Sequence, residues 1–302
     1  MANLKEVRTR IESVNSTKQI TSAMKMVAAS KLRKSQNAIL ALRPYAERFS
    51  EIILAVSGQR SAISGLWSDN NQQSERILII PLSSNKGLCG VFNANVIRAT
   101  MNLIKDEYQT YLDDNKLDIL CIGSKVEDAL KFKKYPVIGN ENVLLDDLTY
   151  DNAATFAERL MKDFEDKKYD KIIFVYNQFK NAATQVLVTE QFLPISDQQS
   201  AVSSQQSAVS HQQDQGIEFI FQPNKEEILT TMIPKSLKLQ VYKILLDSFA
   251  SEQGARMISM TQATDNATEL LKELNLTYNK VRQSSITNEL VEIVSGADAL
   301  NN

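Results

Sequence analysis

Apolar residues recur at helical spacing at both ends of the chain. Leu4, Val7, Ile11 and Val14 step by 3, 4 and 3, and Ala267, Leu271, Leu274, Tyr278 and Val281 step by 4, 3, 4 and 3. This is the spacing of a coiled-coil seam, and two such seams at opposite ends predict an antiparallel coiled coil between the termini. The helix breakers agree, since residues 1–43 contain neither Gly nor Pro and residues 235–295 contain only Gly254. A helix over 1–57, kinked at Pro44, would be about 85 Å long, and one over 235–295 about 90 Å. A compact globule of 302 residues has a radius of gyration of about 19 Å, so such helices are expected to project. Extending the first seam meets Lys18, Thr21 and Lys25, while the apolar stripe shifts to Ile20, Met24 and Val27. Either the helices twist apart there or that face meets something other than its partner helix.

Between the ends the pattern changes. RILIIPL (76–82), LDILCIG (117–123), DKIIFVYNQF (170–179) and QVLVTEQF (185–192) read as strands, and helical patterns lie near 93–112, 124–133 and 151–167. Alternating strand and helix predicts an α/β layer with a largely parallel sheet, to which IEFIFQ (217–222) adds a further candidate strand. Residues 196–216 stand apart. The unit QQSAVS occurs at 198–203 and again at 205–210, with a third QQ at 212–213. So polar a repeat offers too little apolar surface to offset ordering entropy, and an exposed loop is expected. The domains expected are a helix over 1–57, an α/β domain over 75–232 and a helix over 235–300.

Composition narrows the function classes. Nine Gly and six Pro argue against a turn-rich all-β or collagen-like chain. With 34 basic against 36 acidic side chains, no general affinity for nucleic acid or anionic lipid is implied. One segment departs from that average, because from Ser13 to Ala46 there is no acid, while Lys18, Lys25, Lys31, Arg33, Lys34 and Arg43 are all basic. Such a run fits a solvated helix face, a nucleic-acid helix or a shaft inside an acid-rimmed opening. A DNA-reading basic region packs its charges more densely and continues into a clean zipper. No segment approaches the roughly 18 uninterrupted apolar residues of a membrane span, and the charged N-terminus lacks the apolar core of a secretion signal.

Candidate chemistry is sparse. Cys89 and Cys121 are 32 positions apart with no CxxC, and His211 is the only histidine, so a zinc site, a disulfide framework and a Cys/His pair are not expected. No GxxxxGK[ST] is present. The nearest feature, SSNKGLCGVFNANV (83–96), follows a strand and precedes a helix. Backbone amides in such a turn can bind an anion, but the turn also fits a tight strand-to-helix crossover. No catalytic group, cofactor or metal site is expected.

Two terminal stretches, RIESVNSTKQITSAMKMVAASKLRKSQ (10–36) and ARMISMTQATDNATELLKELNLTYNKVRQSSITNELVEIVSGADAL (255–300), resemble the gamma subunit of F-type ATP synthases. Ile286, Thr287, Glu289, Glu292, Gly296 and Ala297 follow that family's I-T-x-E…E-x-x-x-G-A spacing, and GLCGVFNANV (87–96) resembles its strand-to-helix turn. Together these stretches cover about 80 of the 302 residues. The resemblance implies an antiparallel coiled coil of long N- and C-terminal helices plus a Rossmann-like α/β domain. The coiled coil would be the central rotor shaft in a hexamer of alpha and beta subunits, in single copy. The globular part would dock on the membrane c-ring together with the epsilon subunit.

Carried over residue by residue, the resemblance makes Arg282, Gln283, Thr287 and Glu289 contacts of a beta-subunit loop, with Met24 at a facing N-terminal position near it. It implies no catalytic site in this chain, and with no transit peptide read at the N-terminus a peripheral position on the cytoplasmic side of a bacterial plasma membrane is expected, a processed organellar chain being the alternative. A non-rotary coiled-coil scaffold tethering an α/β module is the alternative, and an α/β enzyme using the Gly87–Gly90 turn is a third reading. The repeat at 196–216 departs from the family pattern and contains no Cys, so thiol regulation is not expected.

Overall fold

The computed structural model describes residues 4–56, 76–194 and 225–301. The repeat at 196–216 and the candidate strand at 217–222 lie outside them. The elements in order are α1 (Leu4–Val56), β1 (Ile77–Pro81), α2 (Phe92–Glu107), α3 (Gln109–Asp113), β2 (Leu117–Cys121), α4 (Ser124–Phe132), β3 (Val137–Asn140), a 3-10 turn (Asn142–Leu145), α5 (Tyr150–Glu165), β4 (Lys171–Phe179), β5 (Gln185–Leu193) and α6 (Lys225–Asn301). The chain divides into two compact units, one of residues 31–255 and one of residues 1–30 with 256–302.

The larger unit is an α/β layer. Its five strands run in the order β3-β2-β1-β4-β5. β1 pairs in parallel with β2 and β4, β2 pairs in parallel with β3, and β5 returns antiparallel to β4. The expected parallel sheet is therefore present, closed at one edge by a hairpin. β1 is apolar at every position because both of its faces are covered, as central parallel strands require. Ile77 and Ile79 point to one face with Ile119, Ile173 and Val175, where Val96 and Ile104 of α2 and Val126 and Leu130 of α4 pack on them. Leu78 and Ile80 point to the other with Phe174, Tyr176 and Phe192, beneath Phe156 and Leu160 of α5.

That second face departs from the expected division of the chain. Ile233, Leu237, Val241, Ile244 and Leu245 of α6 belong to the same core cluster. The C-terminal helix starts ten residues before 235, carries Pro234 inside it, and from Ile233 to Leu245 forms a layer of the α/β unit. Pro234 removes one backbone hydrogen bond, and the packing of Ile233 and Leu237 on either side offsets that loss. β3 also had no predicted counterpart. It is four residues long, flanked by Pro136, and buries only alternate side chains partway, too short a run for a period-two signal.

One turn in this layer admits only glycine. Gly123, between β2 and α4, has φ +100°, and a Cβ there would sit 2.3 Å from the Ser83 carbonyl oxygen. The close approach lets Ser83 N donate to Ile122 O at 2.7 Å and Val126 N donate to Ser83 Oγ at 3.0 Å.

The smaller unit is the antiparallel coiled coil. Val7 and Ala28 of α1 and Met260, Ala267 and Leu274 of α6 are buried in its seam. Thr21 Oγ1 and Thr264 Oγ1 lie 2.9 Å apart across it. Each hydroxyl also reaches a carbonyl of its own helix, Lys18 O or Met260 O. With one hydrogen apiece, one hydroxyl bonds across while the other bonds within its helix. A polar pair in a seam fixes register, because any slip leaves it unpaired. Counting outward at equal rise places Val7 level with Tyr278 and Leu4 level with Val281. The heptad phase thus continues through half-buried Lys18 and Thr21, and the shifted apolar stripe is turned outward, with Ile20 60% and Val27 57% exposed.

Replacing Gly123 by Ala adds a clash with Ser83 to a strained backbone, and is expected to cost about 3 kcal/mol or more. Chemical denaturation of the full chain measures it, and a loss below about 1 kcal/mol would contradict the close-approach account.

Candidate functional site

Past Val281 the coiled coil has no α1 residue level with it among the described residues. α6 continues alone through Asn301, about 30 Å of single helix. Residues 282–296 are exposed on every face. Ile286, Leu290 and Ile293, at i, i+4 and i+7, make an apolar ridge, with Val291 and Val294 beside it, and Ile293 is 67% exposed. At 100° per residue, Arg282 and Glu289 flank this ridge on one side and Gln283 and Thr287 on the other.

The polar groups of this tip differ in how free they are. Thr287 Oγ1 donates to Gln283 O at 2.9 Å, and Ser285 Oγ donates to Glu289 Oε1 at 3.3 Å. Arg282 has no ion pair and the Gln283 amide no hydrogen bond among the described residues. A lone helix with so much exposed apolar surface gains nothing from tertiary packing. Arg282, Gln283, Thr287 and Glu289 therefore share one exposed stretch, available to a partner.

Met24 does not join them. The Thr21–Thr264 register puts it level with Thr261, 21 residues back from Arg282, or about 30 Å along the helix. The half-buried Met24 and the tip are two separate positions along the coil. Beside Met24 lie the outward Ile20 and Val27 and the cation Lys25, which has no acidic partner among the described residues.

The other candidate, the turn after β1, stands at the carboxyl ends of the parallel strands, where open α/β sheets place their ligands. Here the polar groups engage one another. Asn93 Oδ1 accepts from Ser84 N and from Ser84 Oγ, both at 3.0 Å, and Asn93 Nδ2 lies 2.9 Å from Ser84 Oγ and 3.2 Å from Cys89 Sγ. Ser124 Oγ donates to Asn85 O at 2.8 Å, and Gly123 N donates to Asn142 Oδ1 at 2.8 Å. Leu88 and Gly90 take positive φ, 64° and 59°, to make the turn. Of the two readings of 83–96, this geometry realises the tight crossover.

Glu127, buried at the edge of this network, accepts from Lys131 Nζ at 2.6 Å, Asn140 Nδ2 at 2.8 Å and Asn142 Nδ2 at 3.2 Å. The Lys131 hydrogen bond, reinforced by the two amides, holds its carboxyl below the usual range against the opposing effect of burial. Both cysteines are buried and unpaired, and burial pushes the Cys121 thiol up to about 12. That thiol stays protonated near neutrality, as a packing residue does. Among the described residues no group of three His, Cys, Asp or Glu could hold a metal, and no helix is long and apolar enough to cross a membrane.

A Rossmann-like sheet in the larger unit, and a coiled coil of the two terminal helices with an exposed apolar tip in the smaller, define a protein of the coiled-coil plus α/β class. The ATP synthase family matches residues 3–300. ATP synthase gamma chains of Christiangramia forsetii and Flavobacterium johnsoniae are each 50% identical over 301 residues, covering 100% of both chains in each comparison. That of Chloroherpeton thalassium is 37% identical over 300 residues, 99% of each chain. The chain belongs to the ATP synthase gamma-chain family.

Solved structures share the fold at lower identity. A chain of the Euglena gracilis mitochondrial ATP synthase rotor superimposes with TM-score 0.61 at 19% identity, covering 94% of this chain and 98% of that one. A chain of the Tetrahymena thermophila mitochondrial ATP synthase central stalk and c-ring gives 0.57 at 24%, covering 81% and 99%.

The pH sign of the Glu127 site follows from its lowered pKa. Its support for the fold is present above the ordinary carboxylate pKa and is lost as pH falls through the lowered folded value. Glu127→Gln is expected to be less stable near neutrality and to lose less on acidification, read by thermal unfolding of the full chain from about pH 6 to about pH 3. Parallel acid limbs in the two proteins would show that Glu127 is not the titrating group.

Proposed function

We infer that this chain is the central rotor shaft of an F-type ATP synthase. It couples ion flow through the membrane c-ring to conformational change at the catalytic beta subunits. The observation that carries the reading, beyond family membership, is the tip of α6, a single helix exposed on all sides whose apolar ridge needs an enclosing partner. A ring of alpha and beta subunits supplies such an enclosure. The acid-free basic stretch of α1 fits an acid-rimmed opening in the same ring. A passive scaffold has no need of an unpartnered apolar tip.

The energetics explain why a shaft is needed. A membrane potential supplies about 2.3 kcal/mol per charge per 100 mV, while driving a site from 1:99 to 99:1 between two conformations takes about 5.5 kcal/mol. The work of several ions must be summed, and a stiff rotor in single copy does so by turning a different face to each of three catalytic neighbours. The chain itself needs no catalytic group, cofactor or metal for this. Its docking partners at the membrane end are the c-ring and the epsilon subunit, on the cytoplasmic side of a bacterial plasma membrane.

At the tip, Arg282 and Gln283 engage a carboxylate-bearing loop of beta, the guanidinium by charge-assisted hydrogen bonds, with Thr287 and Glu289 on the flanks of the same ridge. Met24 meets beta separately, about 30 Å along the coil. Replacing Arg282 and Gln283 together by Ala is expected to lower ATP synthesis by about tenfold, the effect of one or two lost charge-assisted bonds, while leaving assembly intact. Synthesis and hydrolysis rates in membrane vesicles, with subunit stoichiometry of the purified complex, check it. Unchanged rates would remove these residues from the contact.

A further inference from the structure

In the larger unit, α6 is buried at Ile244–Ser248 and again at Ala250–Gly254. A helix that shows no face to solvent is gripped rather than merely laid on a sheet. Polar residues are caught in this stretch, among them Ser251, whose hydroxyl has no partner among the described residues, and Gln253. Gly254 is the only glycine of α6 before Gly296. A Cβ on it would lie 3.2 Å from the carbonyl oxygen and 3.3 Å from the Cα of Ala182, in the turn that joins β4 to β5.

That turn is stiff. Asn181 Oδ1 accepts from Ala183 N at 2.9 Å and Thr184 N at 2.6 Å, and Asn181 N donates to Thr184 O at 3.2 Å. The Ala182 carbonyl is itself held by Gln185 Nε2 at 3.1 Å. A second point of attachment lies at the far end of β5. Glu190 accepts from Gln240 Nε2 of α6 at 2.6 Å and from Tyr176 OH of β4 at 2.7 Å. Gln240 and Gly254 are about 21 Å apart along the helix. One contact would leave α6 free to pivot, whereas two so far apart fix it both along and about its axis.

We propose that the Asn181–Thr184 turn is a tooth seated on α6 at Gly254, and that with Glu190–Gln240 it forms a two-point clamp passing torque from the α/β domain into the C-terminal helix. This rests on the rotor reading and names the positioning residues it requires. Side chains in contact yield to a sideways load by changing rotamer, but a backbone-on-backbone contact has no rotamer to change. Glycine gives the closest seat at 254, because a Cβ would crowd the Ala182 backbone at 3.2 and 3.3 Å and a larger side chain would hold the tooth further off the helix. Asn181 is needed because its side chain keeps the tooth in shape.

The test uses the complete ATP synthase in membrane vesicles. Gly254→Val is expected to assemble normally and to lower the ratio of ATP synthesis to ATP hydrolysis by about fivefold, the low end of coupling factors between sites, with Gly254→Ala milder. Asn181→Gly, which adds no bulk, is expected to lower the ratio in the same direction and decides the matter should the valine variant fail to assemble. Oxidising the A182C/G254C pair to a disulfide is expected to leave both rates at the values of the same complex with the pair reduced, because the tooth and helix move as one body. An unaltered ratio in Asn181→Gly, or loss of turnover on cross-linking, overturns the clamp. A wild-type complex that synthesises ATP without this chain overturns the rotor reading instead, so the two failures are distinguishable.

Discussion

A single unbroken helix of 77 residues, α6, is the constraint on which the remaining structure depends. Its surroundings change along its length. It is buried on all sides at 244–248 and 250–254, buried along one seam from Met260 to Leu274, and exposed throughout 282–296. Each zone uses a different balance of terms. Transfer of apolar surface holds the first, seam packing and one threonine pair hold the second, and helix propensity with local hydrogen bonds alone sustains the third.

The sheet supplies the rigid body against which that helix is fixed. Its central strand is apolar on both faces because helices cover both. At the carboxyl ends of the strands, where related architectures hold small ligands, the serine, asparagine and glycine groups are spent on one another and on the crossover itself. The fold here serves as a mechanical element. Stiffness comes from mutually satisfied polar groups, and from close approaches at Gly123 and Gly254 that any side chain would crowd.

Much of this was legible in the chain. Helical spacing located both ends, alternation of texture located four of five strands, and the shortage of Gly and Pro located the long elements. The exposed tip was legible in part, because a stretch such as ITNELVEIV reads as amphipathic whether or not its apolar face finds a partner within the chain. The carried-over contact residues lie on the exposed tip and at a separate half-buried position, and no periodic signal distinguishes such residues from an ordinary solvated face.

The sequence alone determined which residues share a face, since helix and strand periods are set by backbone geometry. It therefore specified the helices, the outer turns of the seam and the parallel core, and left the seam's phase at Thr21 open. What each face meets was decided only in three dimensions. Ile233–Leu245 of α6 became a layer on the sheet, Ile20 and Val27 were turned outward, Met24 was set about 30 Å from Arg282, and Gly254 came against Ala182. Those outcomes depend on contacts between residues far apart in the chain, to which a local period is blind.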